Sequence, residues 1–195
     1  MPTIPDESIR QIFTDARTFA AWLPQDVPDQ TLHELYDLMK FGPTSANSSP
    51  ARIVFVKNGP AKDKLITCLA PLNVDKVKAA PVTAIVAFDE KFYDLLPKLS
   101  PQADFRSMFA SNKSLAEETA FRNSSLQGAY FILAARAIGL DTGPMSGFNK
   151  AKVDELFFKD TTWKSNFICN IGHGDRAKLH PRSPRLAFDE ACRIL

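Results

Sequence analysis

Residues 81–89 read PVTAIVAFD, a continuous run of apolar and β-branched side chains. Such a run is typical of a strand that lies at the centre of a sheet and is buried on both faces. Further elements are predicted on either side of it. The other predicted strands lie near residues 53–56 and 165–172, and the predicted helices lie near 9–17, 29–41, 61–69, 114–138 and 150–157. Because strands and helices do not alternate regularly, the sequence predicts an α+β fold rather than a doubly wound parallel sheet.

The helix predicted over residues 114–138 is the longest element. Ser114 and Glu117 predict a capping box at its start, and Gly139 predicts its end. A helix of this length suits close packing against another helix, either in the same chain or from a second subunit. Residues 97–113, just before it, show no clear period. They predict a long connection of the kind that often forms a lid or a binding loop.

The chain has 195 residues, of which 45% are apolar and 24% charged, and this predicts one domain over residues 1–195. Its formal net charge of +2 gives no field that favours nucleic acid. No signal peptide and no apolar stretch of about 18 residues is found, so no membrane association is expected. The cysteines form no C-x-x-C pair and the histidines have no metal-ligand spacing. Reduced thiols, a cytoplasmic location and no metal are therefore expected.

Several common catalytic motifs are missing from the sequence. There is no P-loop and no G-x-S-x-G nucleophile turn. GHGDRA at residues 172–177 follows a predicted strand, but it lacks the third glycine and the downstream chain of a dinucleotide-binding unit. Cys169, on an apolar predicted strand, is interpreted as a core residue rather than a nucleophile. What remains is a set of scattered elements suited to anions and amides.

These elements are short polar segments. The alternative interpretation of each one, taken alone, is an ordinary solvated surface segment. They are Arg17 with Thr18, the loop at the start of FGPTSANSSPARIVFV (residues 41–56), Asn73 with Lys76, and Arg182 with Arg185 in PRSPR (181–185). Guanidinium groups bind phosphate through paired, charge-assisted hydrogen bonds. We therefore predict that Arg17 with Thr18, Asn73 with Lys76, and Arg182 with Arg185 together surround one phosphate, which carries a charge of about −2.

In chain order, these elements resemble the FMN-dependent nitroreductase family, and the resemblance covers essentially the whole chain. The matching elements are Arg17-Thr18, the loop from Pro43 to Pro50, Asn73 with Lys76, Asn123 in the long helix, Pro144–Phe148, and Arg182 with Arg185. Three stretches are more similar still to the HadB/RutE subfamily, the malonic semialdehyde reductases of the Rut pyrimidine-degradation pathway. They are FGPTSANSSPARIVFV, AEETAFRNSS (116–125) and GLDTGPMSGF (139–148).

The resemblance implies a nitroreductase-like α+β fold with a mainly antiparallel central sheet flanked by helices. It also implies an intertwined homodimer with FMN at the interface. The residues implied to contact the flavin phosphate are Arg17, Thr18, Arg182 and Arg185, and those implied to reach the flavin from the partner subunit are Pro43, Thr44, Ser45 and Asn47. The residues implied to contact the flavin ring are Asn73, Lys76 and Asn123. One face of the ring is implied to be covered by Pro144, Met145, Ser146 and Gly147.

The activity implied by the resemblance is NAD(P)H-dependent reduction of a small oxidised substrate, with no catalytic side chain required beyond the flavin. In the subfamily reading, malonic semialdehyde becomes 3-hydroxypropionate, and Arg106 is the candidate contact for the substrate carboxylate. Arg106 is alternatively a surface arginine. The sequence departs from the family at Ser146, where many members have Glu, and at Ala51, where Trp is usual. A broad nitro or quinone reductase and a non-catalytic flavin-binding protein remain the alternatives.

Overall fold

The computed structural model describes residues 2–195, and a four-stranded sheet lies at its centre. The strands are β1 (Ala51–Lys57), β2 (Val82–Asp89), β3 (Asp141–Met145) and β4 (Trp163–Gly172). Their order in the sheet is β1-β2-β4-β3, and every neighbouring pair is antiparallel. The predicted α+β class and the mainly antiparallel sheet are therefore confirmed.

Helices cover both faces of the sheet. In chain order they are α1 (Asp6–Ile9), α2 (Asp29–Met39), α3 (Pro60–Ile66), α4 (Pro71–Ala79), α5 (Leu96–Leu99), α6 (Phe105–Ala110), α7 (Lys113–Ala137), α8 (Lys150–Phe157) and α9 (Phe188–Ala191). A wider π-helical turn at Arg10–Thr14 follows α1, and 3₁₀ turns lie at Ser45–Asn47, Phe92–Leu95 and Arg176–Lys178. Among residues 2–195, none of the helices is both long enough and apolar enough to cross a bilayer.

The continuous apolar run of β2 follows from its position between two helical layers. Val82 and Ala84 belong to the core that contains α2 and α7. Ile85 and Ala87 belong to the opposite core, which contains α3, α4 and α8. Since both faces of the strand are buried, alternation between apolar and polar residues is lost. The prediction of a central buried strand is confirmed.

The prediction for the start of the long helix was wrong in detail. The start of α7 is capped by Asn112, whose side chain accepts a hydrogen bond from the Leu115 amide at 3.1 Å, and not by a Ser114–Glu117 capping box. Asn is as good an N-cap as Ser, and it stands two residues earlier. The end of α7 is as predicted, because Gly139 adopts a left-handed φ of 82°.

The predicted long connection before α7 contains the short helices α5 and α6. Their few apolar side chains, with Phe92, form a small separate core against Ala116 and Ala120 of α7. A helix of four or six residues contributes too few buried positions to show a period in the sequence. The segment is therefore folded onto the long helix rather than being an irregular connection.

β3 lies at the sheet edge and was not predicted, because Gly143 and Pro144 interrupt its pattern. The N-terminal segment passes beside it. Thr18 forms a parallel bridge with Thr142, and the Phe19 amide donates to the Thr142 carbonyl at 3.0 Å. A methyl group at Gly143 would overlap the carbonyl oxygen of Phe19, so the close approach of the two segments depends on this glycine.

Gly143→Ala should lower the free energy of unfolding by about 1–3 kcal/mol, because the segment that contains Phe19 must move away from β3. Urea denaturation followed by circular dichroism measures the change. Gly139→Asn is the control: apart from the two neighbouring residues, nothing in the described part of the chain lies within 4 Å of an added Cβ there, and Asn tolerates a left-handed φ. Equal stability of Gly143→Ala and the wild type would contradict the close approach.

Candidate functional site

Four arginine side chains line one pocket, which we call the arginine pocket. Its volume is about 550 Å³. Its lining consists of Phe13, Thr14, Ala16, Arg17, Thr18, Arg136, Pro181, Arg182, Ser183 and Arg185. The pocket thus brings together Arg17, Arg182 and Arg185, as predicted. The prediction that Asn73 and Lys76 surround the same phosphate was wrong, because neither residue lines this pocket.

The guanidinium groups in the arginine pocket bind main-chain carbonyl oxygens. Arg17 Nη2 donates to His180 O (2.5 Å), Arg136 Nη1 to Ile12 O (2.9 Å), Arg182 Nη2 to Thr14 O (2.6 Å) and Ala16 O (2.9 Å), and Arg185 Nη1 to Ser183 O and Pro184 O (both 3.0 Å). Within residues 2–195, no ion pair engages any of the four. Neutral carbonyl oxygens orient these cations and leave their charge uncompensated.

Arg136 was missed by the sequence analysis. It lies in the last turn of α7, where a basic residue is common because it interacts favourably with the helix dipole. An arginine at this position therefore does not indicate a binding site. Its Nε atom is buried and has no hydrogen-bond partner in the described part of the chain. Burial lowers the pKa of Arg136, and the charge of Arg182 acts in the same direction, whereas Asp141 opposes it. A partly desolvated guanidinium of this kind gains from an anion.

A second polar group lies around the end of β3. Asn73 Nδ2 donates to the Gly147 carbonyl at 3.0 Å, and Lys76 Nζ donates to Asn73 Oδ1 at 3.2 Å. Both residues lie on α4, which the sequence analysis did not predict as a helix. The chain therefore brings Asn73, Lys76 and the turn after β3 together, as the predicted site requires.

The turn itself offers main-chain donors. Pro144 and Met145 belong to β3, and Ser146 and Gly147 follow it. The amides of Ser146 and Gly147 donate to no acceptor among residues 2–195. Gly147 also approaches α4 closely, since an added Cβ would lie 2.7 Å from Asn73 Nδ2. The turn is thus fixed by the Gly147 carbonyl, which accepts from Asn73, and the Ser146 and Gly147 amides remain available as hydrogen-bond donors.

β3 connects the arginine pocket to this turn. Thr18, which lines the pocket, is bridged to Thr142 near the start of the strand. Met145 ends the strand and precedes the turn. Three residue steps of extended chain between Thr142 and Met145 span roughly 10 Å. The cationic pocket and the amide–lysine group therefore lie at opposite ends of one short strand.

The loop of residues 43–51 contacts α7 and the segment containing α5. The contacts are Tyr130 OH to Pro43 O (3.2 Å), Ser45 N to Asn123 Oδ1 (2.8 Å), Asn47 Nδ2 to Leu99 O (2.7 Å) and, inside the loop, Ser49 N to Thr44 Oγ1 (3.1 Å). None of the loop residues lines the arginine pocket. The flavin contacts predicted for Pro43, Thr44, Ser45, Asn47 and Asn123 stay predictions.

Arg106, the predicted substrate contact, is exposed on α6 and forms an ion pair with Asp94. Its Nε and Nη2 atoms lie 3.1 and 2.9 Å from Asp94 Oδ1. Its charge is thereby balanced by a neighbouring carboxylate, unlike the charges in the arginine pocket. The predicted role of Arg106 stays a prediction.

Cys169 is fully buried in β4, which confirms its interpretation as a core residue. Burial raises the pKa of its thiol to about 12. A thiol with such a pKa stays protonated near neutral pH and is a poor nucleophile. In the part of the chain that the structure describes, no group of three His, Cys, Asp or Glu side chains is arranged to hold a metal ion.

Comparison with known proteins gives one consistent result. A model of the nitroreductase family matches residues 2–173. A Rhodopseudomonas palustris protein named "Putative NADH dehydrogenase/NAD(P)H nitroreductase" is 58% identical over 193 residues, covering 99% of this chain and 98% of that protein. A Ralstonia nicotianae protein with the same descriptive name is 53% identical over 195 residues, with both chains covered completely.

Solved structures agree with the sequence comparisons. A crystal structure from Exiguobacterium sibiricum, described as a "putative nitroreductase in complex with FMN", has a TM-score of 0.85. It is 20% identical and covers 100% of this chain and 99% of its own. At this identity the likeness confirms the fold, and the arginine pocket and the turn after β3 remain the observations that bear on ligands.

Proposed function

The chain belongs to the nitroreductase family, and on that premise we propose that it is an FMN-dependent NAD(P)H oxidoreductase. The observation that carries the proposal is the arginine pocket, in which four guanidinium groups meet and none forms an ion pair with a carboxylate of residues 2–195. The names of two relatives, each more than 50% identical, support nicotinamide nucleotides as electron donors. FMN, when bound, supplies hydride chemistry, and the protein supplies position and electrostatics.

The residues of the arginine pocket fit a phosphate monoester. A phosphate near neutral pH carries a charge of about −2 and three acceptor oxygens. Arg17, Arg182 and Arg185 would hold it, as the family resemblance implies. Arg136 adds a buried Nε that has no partner within residues 2–195. Each charge-assisted hydrogen bond is worth about 1.5–3 kcal/mol, which is enough to make the phosphate a main anchor of the cofactor.

The turn after β3 and α4 fit the ring of the same cofactor. Lys76 would place a positive charge beside it and favour negative charge that develops there. Asn73 already orients the Lys76 amine through its Oδ1. The Ser146 and Gly147 amides would donate hydrogen bonds from the turn. A basic side chain together with main-chain donors suits a site in which the protein stabilises charge rather than forming a covalent bond.

A homodimer forms part of the proposal. One face of α7 remains exposed, and its large apolar residues are Phe121 and Leu126, which are 48% and 42% exposed. The loop of residues 43–51 contacts α7 at Asn123, which is about 20 Å along the helix from Arg136 in the arginine pocket. This separation supports a site in which the loop of one chain reaches the cofactor of the other.

Malonic semialdehyde is the proposed physiological substrate, and the support for it is the sequence similarity to the HadB/RutE subfamily. The substrate carboxylate needs a cation, and Arg106 would have to exchange its ion pair with Asp94 to provide one. A nitro compound or a quinone needs no such exchange, and the names of the relatives favour this broader activity. Stopped-flow kinetics of the reduced protein with each class of substrate distinguish the two activities.

Removing arginines from the pocket should weaken FMN binding without affecting riboflavin, which lacks the phosphate. Arg136→Gln, and separately Arg182→Ala with Arg185→Ala, should each raise the Kd for FMN about 10–100-fold. Fluorescence quenching titrations with both flavins measure this. Arg193→Gln, in the same tail but outside the pocket, is the control. An equal loss for FMN and riboflavin would refute the phosphate assignment.

Anaerobic addition of NADH or NADPH to the FMN-loaded protein should bleach the visible flavin absorption, and an oxidised substrate should restore it. Stopped-flow mixing of the reduced protein with malonic semialdehyde, a nitroaromatic compound and a quinone identifies the preferred class. Fast recovery with malonic semialdehyde alone supports the subfamily activity. Fast recovery with the other two supports a broad reductase. A yellow protein that neither nucleotide bleaches is a flavin-binding protein without turnover, and the proposal fails.

A further inference from the structure

We propose that Asn123, Gln127 and Tyr130 of α7 are positioning residues that hold the loop of residues 43–51 in the shape required by the cofactor site. We call these three residues the polar stripe. The inference rests on the proposed function, since it assigns the loop to the FMN site. It differs from the contact implied by the family resemblance, in which Asn123 itself touches the flavin ring.

The loop has a backbone that needs external support. Ala46, Asn47 and Ser49 have φ values of 52°, 49° and 40°. This left-handed region is uncommon for residues other than glycine, and three such residues among four are rarer still. Residues in sparsely populated conformations persist only where the surrounding structure fixes them. The contacts around the loop should therefore be sought on the neighbouring elements.

The polar stripe provides these contacts from one side. Asn123 Oδ1 accepts from the Ser45 amide and Gln127 Oε1 accepts from the Ala51 amide, each at 2.8 Å. The Tyr130 hydroxyl donates to the Pro43 carbonyl at 3.2 Å. The three stripe residues are spaced i, i+4 and i+7, which places them on one face of the helix. The stripe thus holds the beginning and the end of the loop through main-chain atoms.

Burial makes two of these contacts difficult to replace. Asn123 is 2% exposed and Gln127 is 5% exposed. The Asn123 amide is engaged within the chain at both ends, because its Nδ2 donates to the Thr119 carbonyl at 2.8 Å. A buried polar group without a partner is costly, so loss of either acceptor would favour release of the loop over an unpaired amide. Asn123 therefore acts through the loop.

Tyr130 adds a steric contact to its hydrogen bond. Its ring packs directly on Gly42, where any side chain would overlap the ring carbons. This contact explains the glycine at the start of the loop without invoking a special backbone angle, because Gly42 does not have a positive φ. The entry to the loop is fixed by the Gly42 contact, and its exit is fixed by Gln127.

The loop is held from its other side as well. Asn47 Nδ2 donates to the Leu99 carbonyl at 2.7 Å, and Arg52 Nη1 donates to the Ser49 carbonyl at 3.1 Å. Arg52 is itself fixed by Asp89 of β2 through an ion pair of 2.9 Å. The strained residues therefore lie between the polar stripe and these contacts. The loop is preorganised, and a preorganised loop loses little conformational entropy when a ligand binds.

The test compares Gln127→Leu with Gln127→Glu in the FMN-loaded protein. Leu removes the acceptor for the Ala51 amide, whereas Glu keeps it. Ser124→Ala is the matched control, because Ser124 is buried on the same helix and binds Asn166 rather than the loop. Two quantities are measured: hydrogen exchange of the Ala51 amide, and the rate at which FMN leaves the protein on dilution, followed by recovery of flavin fluorescence.

Gln127→Leu should speed exchange at Ala51 and raise the FMN dissociation rate about tenfold, and Gln127→Glu should restore both. Ser124→Ala should change neither. Faster exchange at Ala51 with unchanged FMN release would overturn the inference and leave the proposed function standing. A wild-type protein that retains no FMN would instead overturn the proposed function. If Gln127→Leu does not fold, Tyr130→Phe removes one hydroxyl only, and faster FMN release is again required.

Discussion

The uncompensated charge of the arginine pocket is the constraint on which the account of this protein depends. Like charges repel, and partial burial of Arg136 strengthens the repulsion because water screens it less. Carbonyl oxygens orient each guanidinium group but cancel no charge. A protein that keeps four such groups around one pocket gains stability when an anion enters it. A phosphate monoester satisfies that requirement with a single group.

The same pocket connects distant parts of the chain. Arg17 follows the N-terminal helical turn, Arg136 lies in the last turn of α7, and Arg182 and Arg185 belong to the tail. The tail is attached here through Arg182, which reaches the carbonyls of Thr14 and Ala16. Binding of an anion should therefore stabilise contacts between chain segments as well as hold the ligand. β3 runs from this pocket to the turn that contains Ser146 and Gly147. Lys76 of α4 is connected to the same turn through Asn73.

Patterns within single elements were predictable from the sequence, and most contacts between elements were not. The apolar run of β2 identified a central strand because burial on both faces leaves a local signal. β3 left no such signal, because Gly143 is required by the close approach of Phe19, a residue more than 120 positions away. The helix α4 was also missed. Its buried residues are Asn73 and Val77, so its buried face includes a polar residue and gives no apolar helical period.

The candidate site shows the same division. Arg17, Arg182 and Arg185 were recognisable because each stands in a short polar segment with the order of a known family. Arg136 was not, since a basic residue at a helix C-terminus has an ordinary explanation. Gln127 and Tyr130 were equally hidden, because their partners are main-chain atoms of a loop that the sequence alone does not bring next to α7. Only the folded chain reveals such positioning residues.

The central claim is that FMN binds between the arginine pocket of one chain and the loop of a second. Sedimentation velocity of the FMN-loaded protein, recorded at the visible flavin band, tests it most directly. The account predicts that all bound flavin sediments with a particle of twice the 21.6 kDa chain mass. Flavin that sediments with a single chain would contradict it.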